Sequence, residues 1–295
     1  MESENQPFSY VQELHKNRSY ASCISTAYHD VTSHFKSLFH ELWKYALVYA
    51  LIVGLGITIQ FSADLKTSLW GDLFSLAWSV PMCIASIVIC GKILSLINTR
   101  DVKHNSLRFF TSYLVIYIAI MTFFIVTIVA SVLLFADLNN AQSLVTTLGI
   151  TFAIDIVVIL LLCTPQAYSW MKFLMEENQG IGSIFGSNWK VGFRHFGFIF
   201  ATMFLLTLIA CVLWMVLFVP LIILLAAYGA NSAGAAAGDP STLSASLLLP
   251  TYLYTSAILF VASYFLVWVF FVYYYIYGTI ETRENERSEA EILVH

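Results

Sequence analysis

Six stretches of the chain stay apolar for about 20 residues or more, the length that carries an α-helix across a bilayer, and polar segments separate them. They fall at about 44–61, 73–97, 111–135, 145–163, 198–227 and 251–279. The pattern predicts six transmembrane helices. The fourth ends just before Pro165, and the second and fifth contain Pro81 and Pro220. Two polar segments carry a period of their own. From Tyr20 to Leu42, apolar residues recur at 20, 24, 27, 28, 31, 35, 38, 39 and 42, the stripe of an amphipathic helix. Between the fourth and fifth spans the same role falls to Ile181, Ile184, Phe185, Trp189, Phe193 and Phe196, where Gly180, Gly182, Gly186 and Gly192 weaken the helix. Such segments lie in a headgroup plane or pack beneath the spans. The fold class expected is all-α, a polytopic membrane helical bundle of six transmembrane helices with inner-face amphipathic helices. It occupies residues 20–280, between a polar N-terminal segment (1–19) and an acidic C-terminal tail (281–295) that is helical or frayed.

Composition agrees. Of 295 residues, 59% are apolar and 11% charged, against roughly a quarter charged in a soluble domain. The mean hydropathy is +0.78. Residues 1–19 are polar and the first long apolar run begins near Trp43, so no cleaved signal is expected and the first span stays as an anchor.

Charge placement sets an orientation. With the N-terminus inside, the inner segments hold Lys16, Arg18, Lys36, Lys44, Lys92, Arg100, Lys103, Arg108, Lys172, Lys190, Arg194, Arg283 and Arg287, thirteen of the fourteen Lys and Arg. Only Lys66 falls outside, among Asp64, Asp72, Asp137 and Asp239. Basic segments resist translocation, so both termini are expected in the cytoplasm. Trp43, Trp70 and Trp170 fall at span ends, and Tyr273, Tyr274, Tyr275 and Tyr277 read as an inner interfacial belt. Residues 228–250, rich in Gly, Ala and Ser, read as a flexible outer loop.

A repeat is suggested by a shift of 158 residues (183 − 25), which lays Ser25, Asp30, Val31, Phe35, Lys36 and Leu38 on Ser183, Asn188, Trp189, Phe193, Arg194 and Phe196. An apolar–basic–x–apolar pattern also precedes the third span, at Leu107, Arg108 and Phe110. Each helical hairpin would then follow an inner segment ending in a basic residue, here Lys36, Arg108 and Arg194. The plain alternative is that every inner interface selects basic and aromatic residues.

Candidate chemistry is sparse. Asp155 is the one acidic residue in the middle of a span. A charge at mid-bilayer costs about 2.5–3.5 kcal/mol on insertion scales, so such a residue faces a partner or a wet cavity. It reads either as an ion or proton site or as a hydrogen-bonded Asp knitting helices together, with Thr151 one turn away as its partner. The seven histidines (His15, His29, His34, His40, His104, His195 and His295) all lie outside the spans, which argues against haem held between membrane helices, and no HExxH pair or CxxC spacing occurs. Cys23, Cys83, Cys90, Cys163 and Cys211 read as apolar residues, since none lies in an outer loop. GIGSIFGSNWK (180–190) lacks the Gly-Lys-Ser/Thr ending of a phosphate loop, and Glu176–Glu177 has no membrane-depth His beside it. No catalytic residue, cofactor or metal is expected. The net charge of −4 argues against nucleic acid.

The segment SIFGSNWKVGFRHFGFIF (183–200) and the Pro220 region resemble, in layout, bacterial six-helix membrane proteins, including the membrane domain attached to some glycerophosphodiester phosphodiesterases. The resemblance covers most of the chain, carries over no catalytic residue, and implies a bacterial plasma (inner) membrane. No long polar segment is present to hold the phosphodiesterase domain itself. Three functions follow as expectations. The first is a non-enzymatic organising, sensing or accessory protein whose partners are the lipid bilayer and a membrane protein or a second copy of itself. The second is a small-solute or ion transporter or channel using Asp155. The third is a lipid-handling enzyme, which requires Glu176, Arg194 and His195 to cluster.

Overall fold

In lipid every backbone N–H and C=O must be satisfied within the segment, so long apolar runs fold as helices. The computed structural model describes the backbone of residues 14–61, 69–135, 137, 140–236, 238 and 248–294. In chain order its α-helices are α1 (Tyr20–Ser33), α2 (Phe35–Phe61), α3 (Leu69–Asn98), α4 (Val102–Phe135), α5 (Ala141–Met175), α6 (Ser187–Arg194), α7 (Phe196–Ala236) and α8 (Leu248–Val294). A 3-10 turn at Ile181–Ile184 precedes α6. Six of these helices, α2 to α5 with α7 and α8, are long and apolar enough to cross a membrane. The chain is an all-α, multi-pass integral membrane protein. At 1.5 Å per residue, the 35 residues of α5 and 47 of α8 reach about 50 and 70 Å, well beyond the ~30 Å of bilayer hydrocarbon. Their polar ends therefore stand clear of the lipid.

Several expectations change here. The stripe from Tyr20 to Leu42 is not one helix: it breaks at His34, and residues 35–42 are the first turns of α2. Side-chain hydrogen bonds crowd the break: Thr32 Oγ1 donates to Tyr28 O (2.8 Å), Ser33 Oγ to Asp30 O (3.2 Å), and His34 Nδ1 lies 3.0 Å from that same carbonyl, the local bonding that bends helices. The apolar run ends near Pro165, yet α5 continues ten residues past it (175 − 165). Residues 228–236 are the end of α7 rather than loop, as their alanines favour. Residues 239–247, like Lys66, lie outside the described residues. The tail 281–294 is an unbroken extension of α8. Before the third span no separate helix forms, and Leu107, Arg108 and Phe110 sit in the first turns of α4. The breaks after α1 and α6 fall at His34 and His195, 161 residues apart (195 − 34), so Lys36 follows its break while Arg194 precedes its own.

The chain divides into two compact units. One comprises Ala21–Ser106 and Phe204–Val272. In it Leu42, Ala46, Ala50 and Val53 line the buried face of α2, and Ala85, Ile89, Ile93 and Ile97 that of α3. The indole of Trp78 donates to Ile52 O (3.1 Å), and that of Trp268 to Ile24 O (3.3 Å). Lys92 pairs with Glu41 at 2.8 Å. Gly54 brings α2 against α8: a Cβ there would strike Ser256 Oγ and come within 3.2 Å of the Ser256 Cα. Overpacking of this kind costs typically 1–3 kcal/mol. Gly54→Val is accordingly expected to destabilise the chain by about 2 kcal/mol in denaturant-titrated detergent micelles, whereas Gly229→Ala, which meets nothing, should not.

The second unit comprises Leu107–Met203 with the described parts of 11–20 and 273–295. Its lipid-facing and packed parts differ sharply. In the most apolar 18-residue stretch of α4 no residue is buried, and in that of α5 only 6% are, so these faces meet lipid. From Thr164 to Ser169, by contrast, every residue of α5 is buried, as are Met171, Phe173 and Leu174. The packed core of this unit begins where the apolar run stops.

Candidate functional site

The packed end of α5 gathers the polar chemistry of the second unit. Tyr168 and Lys172 are four residues apart and so share a helix face. On α8, Tyr277, Glu281 and Glu284 are spaced by four and three and share another. The Tyr168 hydroxyl donates to Glu281 Oε1, and the same oxygen accepts from Lys172 Nζ at 2.7 Å. Lys172 also lies 3.6 Å from Glu176 Oε1, which accepts from the Tyr277 hydroxyl at 2.8 Å. The other Glu176 oxygen accepts from Gln179 Nε2 (2.9 Å), and Gln179 Oε1 in turn accepts from Asn188 Nδ2 of α6 (3.1 Å). One ammonium thus lies between two carboxylates, each held by a tyrosine. Lys172 and Glu281 have side chains only 17% and 16% exposed. Their attraction is therefore screened far less than that of a surface pair.

One turn further along α8, Glu284 takes Arg194 Nη1 on one oxygen (2.5 Å) and His195 Nε2 on the other (2.8 Å). The carboxylate accepts, so Nε2 carries the hydrogen. His195 is half-buried, and its contact ties the junction of α6 and α7 to α8. Arg108 reaches from α4 to the last turn of α5, donating to the carbonyls of Phe173, Glu176 (2.8 Å) and Glu177 (3.3 Å). The last carbonyls of a helix have no i+4 donor, and a cation is favourable at a helix C-terminus. The sequence placed Arg108 at an interface. The structure gives it a capping role.

The N-terminal segment closes the same unit. Leu14 and Arg18 are buried. The Arg18 guanidinium lies 4.6 Å over the Tyr275 ring, and Arg283 donates to Asn17 Oδ1 and Arg18 O, both at 2.9 Å. The tyrosines expected as an interfacial belt are instead packed: Tyr274, Tyr275 and Tyr277 are buried, with Arg18 on one and Tyr168 stacked on another. At the packed end of α5, a proline removes a helix donor. Gly192 of α6 approaches closely there, and Trp189 Nε1 donates to Leu162 O (3.3 Å).

Asp155 and Lys36 lie apart from this network. Asp155 is 3% exposed, and its partner is Thr127, whose hydroxyl donates to Oδ2 at 2.6 Å. That replaces the expected Thr151, which instead lines the same α4–α5 groove, of about 490 Å³, with Asp155, Thr127, Ser131 and Thr147. Thr127 on the neighbouring helix reaches the carboxylate. Lys36 belongs to the first unit, exposed beside His40 and Trp43. Glu176 and the pair Arg194–His195 bind different residues of α8, Tyr277 and Glu284. Seven residues separate these, about 10 Å along the helix. Sequence reading missed Tyr168, Lys172 and Glu281 as a unit. The i,i+4 pairs Tyr168–Lys172 and Tyr277–Glu281 were the available signal, but their facing required a separation of 113 residues to be closed.

No protein-family model, curated protein or solved structure matches the chain. The site must be read from its chemistry. Lys172 and Arg194 meet the carboxylates of Glu281 and Glu284, the Glu176 carboxylate accepts from Tyr277, and Arg108 holds main-chain carbonyls at the end of α5, so each has a partner across helices. No metal-holding group of three His, Cys, Asp or Glu occurs among the described residues. Such a set fastens helices together. Removing one member leaves a charge without its counter-ion.

Proposed function

We propose that this protein is a non-enzymatic, multi-pass membrane protein that organises, senses or assists partners at the cytoplasmic face, with both termini in the cytoplasm of a bacterial plasma membrane. The observation that carries the reading is the mutual pairing of the Tyr168–Lys172–Glu176–Tyr277–Glu281 set. Its ionisable groups are spent on each other and on helix ends, as a clamp requires and a general acid or base does not. The amphipathic segments support a docking role, because each buries one face and leaves aromatics on the other: Tyr20 and Tyr28 on α1, Phe185 and Phe193 around α6. The thirteen-to-one split of basic residues supports the orientation. A resemblance in layout to the membrane domain attached to some glycerophosphodiester phosphodiesterases accords with the same reading. Photo-crosslinkers placed at Tyr28 and Phe193 in native membranes are expected to give a discrete protein adduct, of a partner or of a second copy, while one at lipid-facing Leu134 gives none. Lipid adducts alone at all three positions would remove the proposal.

The transporter reading keeps one supporting observation. Asp155 is a buried carboxylate at span depth, in a groove lined by four hydroxyls. On that reading Asp155→Asn abolishes proton or cation uptake into proteoliposomes. Uptake equal to wild type in the variant, or none in either, removes it. The enzyme reading needs Glu176, Arg194 and His195 in one cluster, and is not proposed.

A further inference from the structure

Between α2 and α3, within the first unit, runs a groove of about 580 Å³ lined by Lys44, Tyr45, Val48, Ile52, Pro81 and Ile84 among others. Its walls are open to the surroundings: Val48, Val80 and Ile84 are each more than half exposed. Lys44 to Ile52 spans eight residues, about 12 Å of helix, and apolar side chains dominate that length while an ammonium stands at one end. A groove with this polarity gradient matches a lipid, with an acyl chain along the helices and a headgroup at the lysine.

The local charge selects which lipid. Lys92, its ammonium 5.6 Å from the Tyr45 ring, is neutralised by Glu41 at 2.8 Å. Lys44 is exposed, with its ammonium 5.7 Å over the Trp43 ring. Two cations against one carboxylate leave a net positive charge where the groove meets the aromatic level of Trp43 and Tyr45, the depth at which such rings meet headgroups. We infer that this groove is a binding site for one anionic phospholipid, its phosphate on Lys44 and one acyl chain against Val48, Ile52 and Ile84. A zwitterionic headgroup would bring its own ammonium to a site that is already cationic, so selectivity against phosphatidylcholine follows.

The test is native mass spectrometry of the full chain released from nanodiscs of equal phosphatidylglycerol and phosphatidylcholine. Wild type is expected to retain one phosphatidylglycerol, at least fivefold over phosphatidylcholine. Lys44→Arg should keep that preference and Lys44→Gln lose it. Ile84→Trp, which fills the groove without touching the charge, should lower retention of both lipids. Equal retention of the two lipids by wild type, or an unchanged preference in a Lys44→Gln variant of wild-type thermal stability, would overturn the site. So would displacement of the retained lipid by excess glycerol phosphate alone, because a headgroup-only site needs no groove.

Discussion

Glu281→Leu is expected to cost about 3 kcal/mol of stability in detergent, the scale for removing one partner of a buried ion pair. The change leaves Lys172 facing only Glu176 at 3.6 Å and removes the acceptor of the Tyr168 hydroxyl. Glu281→Gln keeps an acceptor oxygen but not the charge, and should lose less. The double variant Lys172→Met with Glu281→Leu decides between a network and two independent residues. Replacing both members of a buried pair by apolar groups is often near neutral, so much of the single-variant loss should return. A double-variant loss equal to the sum of the singles would mean that the two side chains do not act together.

The second large effect is expected at Gly192. A Cβ there would collide with the carbonyl oxygen of Pro165 and stand 3.0 Å from the Pro165 Cβ. The first obstacle is backbone and cannot rotate away, so Gly192→Leu must push α6 off α5. That movement breaks Asn188–Gln179 and Trp189–Leu162 and carries Arg194 and His195 away from Glu284. A loss of about 3 kcal/mol, at the upper end for overpacking, should appear together with faster amide exchange across 187–195. Gly197→Ala serves as the control. Nothing lies within 4 Å of its added methyl, and alanine is the better helix former by about 1 kcal/mol, so that variant should hold or gain stability.

The spans were legible because the bilayer imposes a length and a composition that no other constraint mimics. Their helical ends were not. Hydropathy ends near Pro165 and Tyr277, whereas the backbone continues wherever a packed neighbour satisfies it, as Arg108 does for the α5 C-terminus. Asp155 was found from its oddity in an apolar run. Its true partner, Thr127, sits 28 positions away on the next helix, and one-turn reasoning pointed to Thr151 instead. The tyrosines 273–277 read as a headgroup belt because chemistry alone cannot distinguish an interface with lipid from one with Arg18 and Tyr168. Single residues were thus visible where the membrane acted on them, and pairs were hidden where the fold did.

Everything argued for the cytoplasmic face depends on the chain crossing the bilayer six times. The direct measurement is labelling of single cysteines in a cysteine-free background, using a membrane-impermeant maleimide on intact spheroplasts. Ser241→Cys, between α7 and α8, is expected to label at once, and Glu291→Cys, at the end of α8, only after lysis. Labelling of both from the same side would contradict the topology and the clamp, groove and docking surfaces assigned to it.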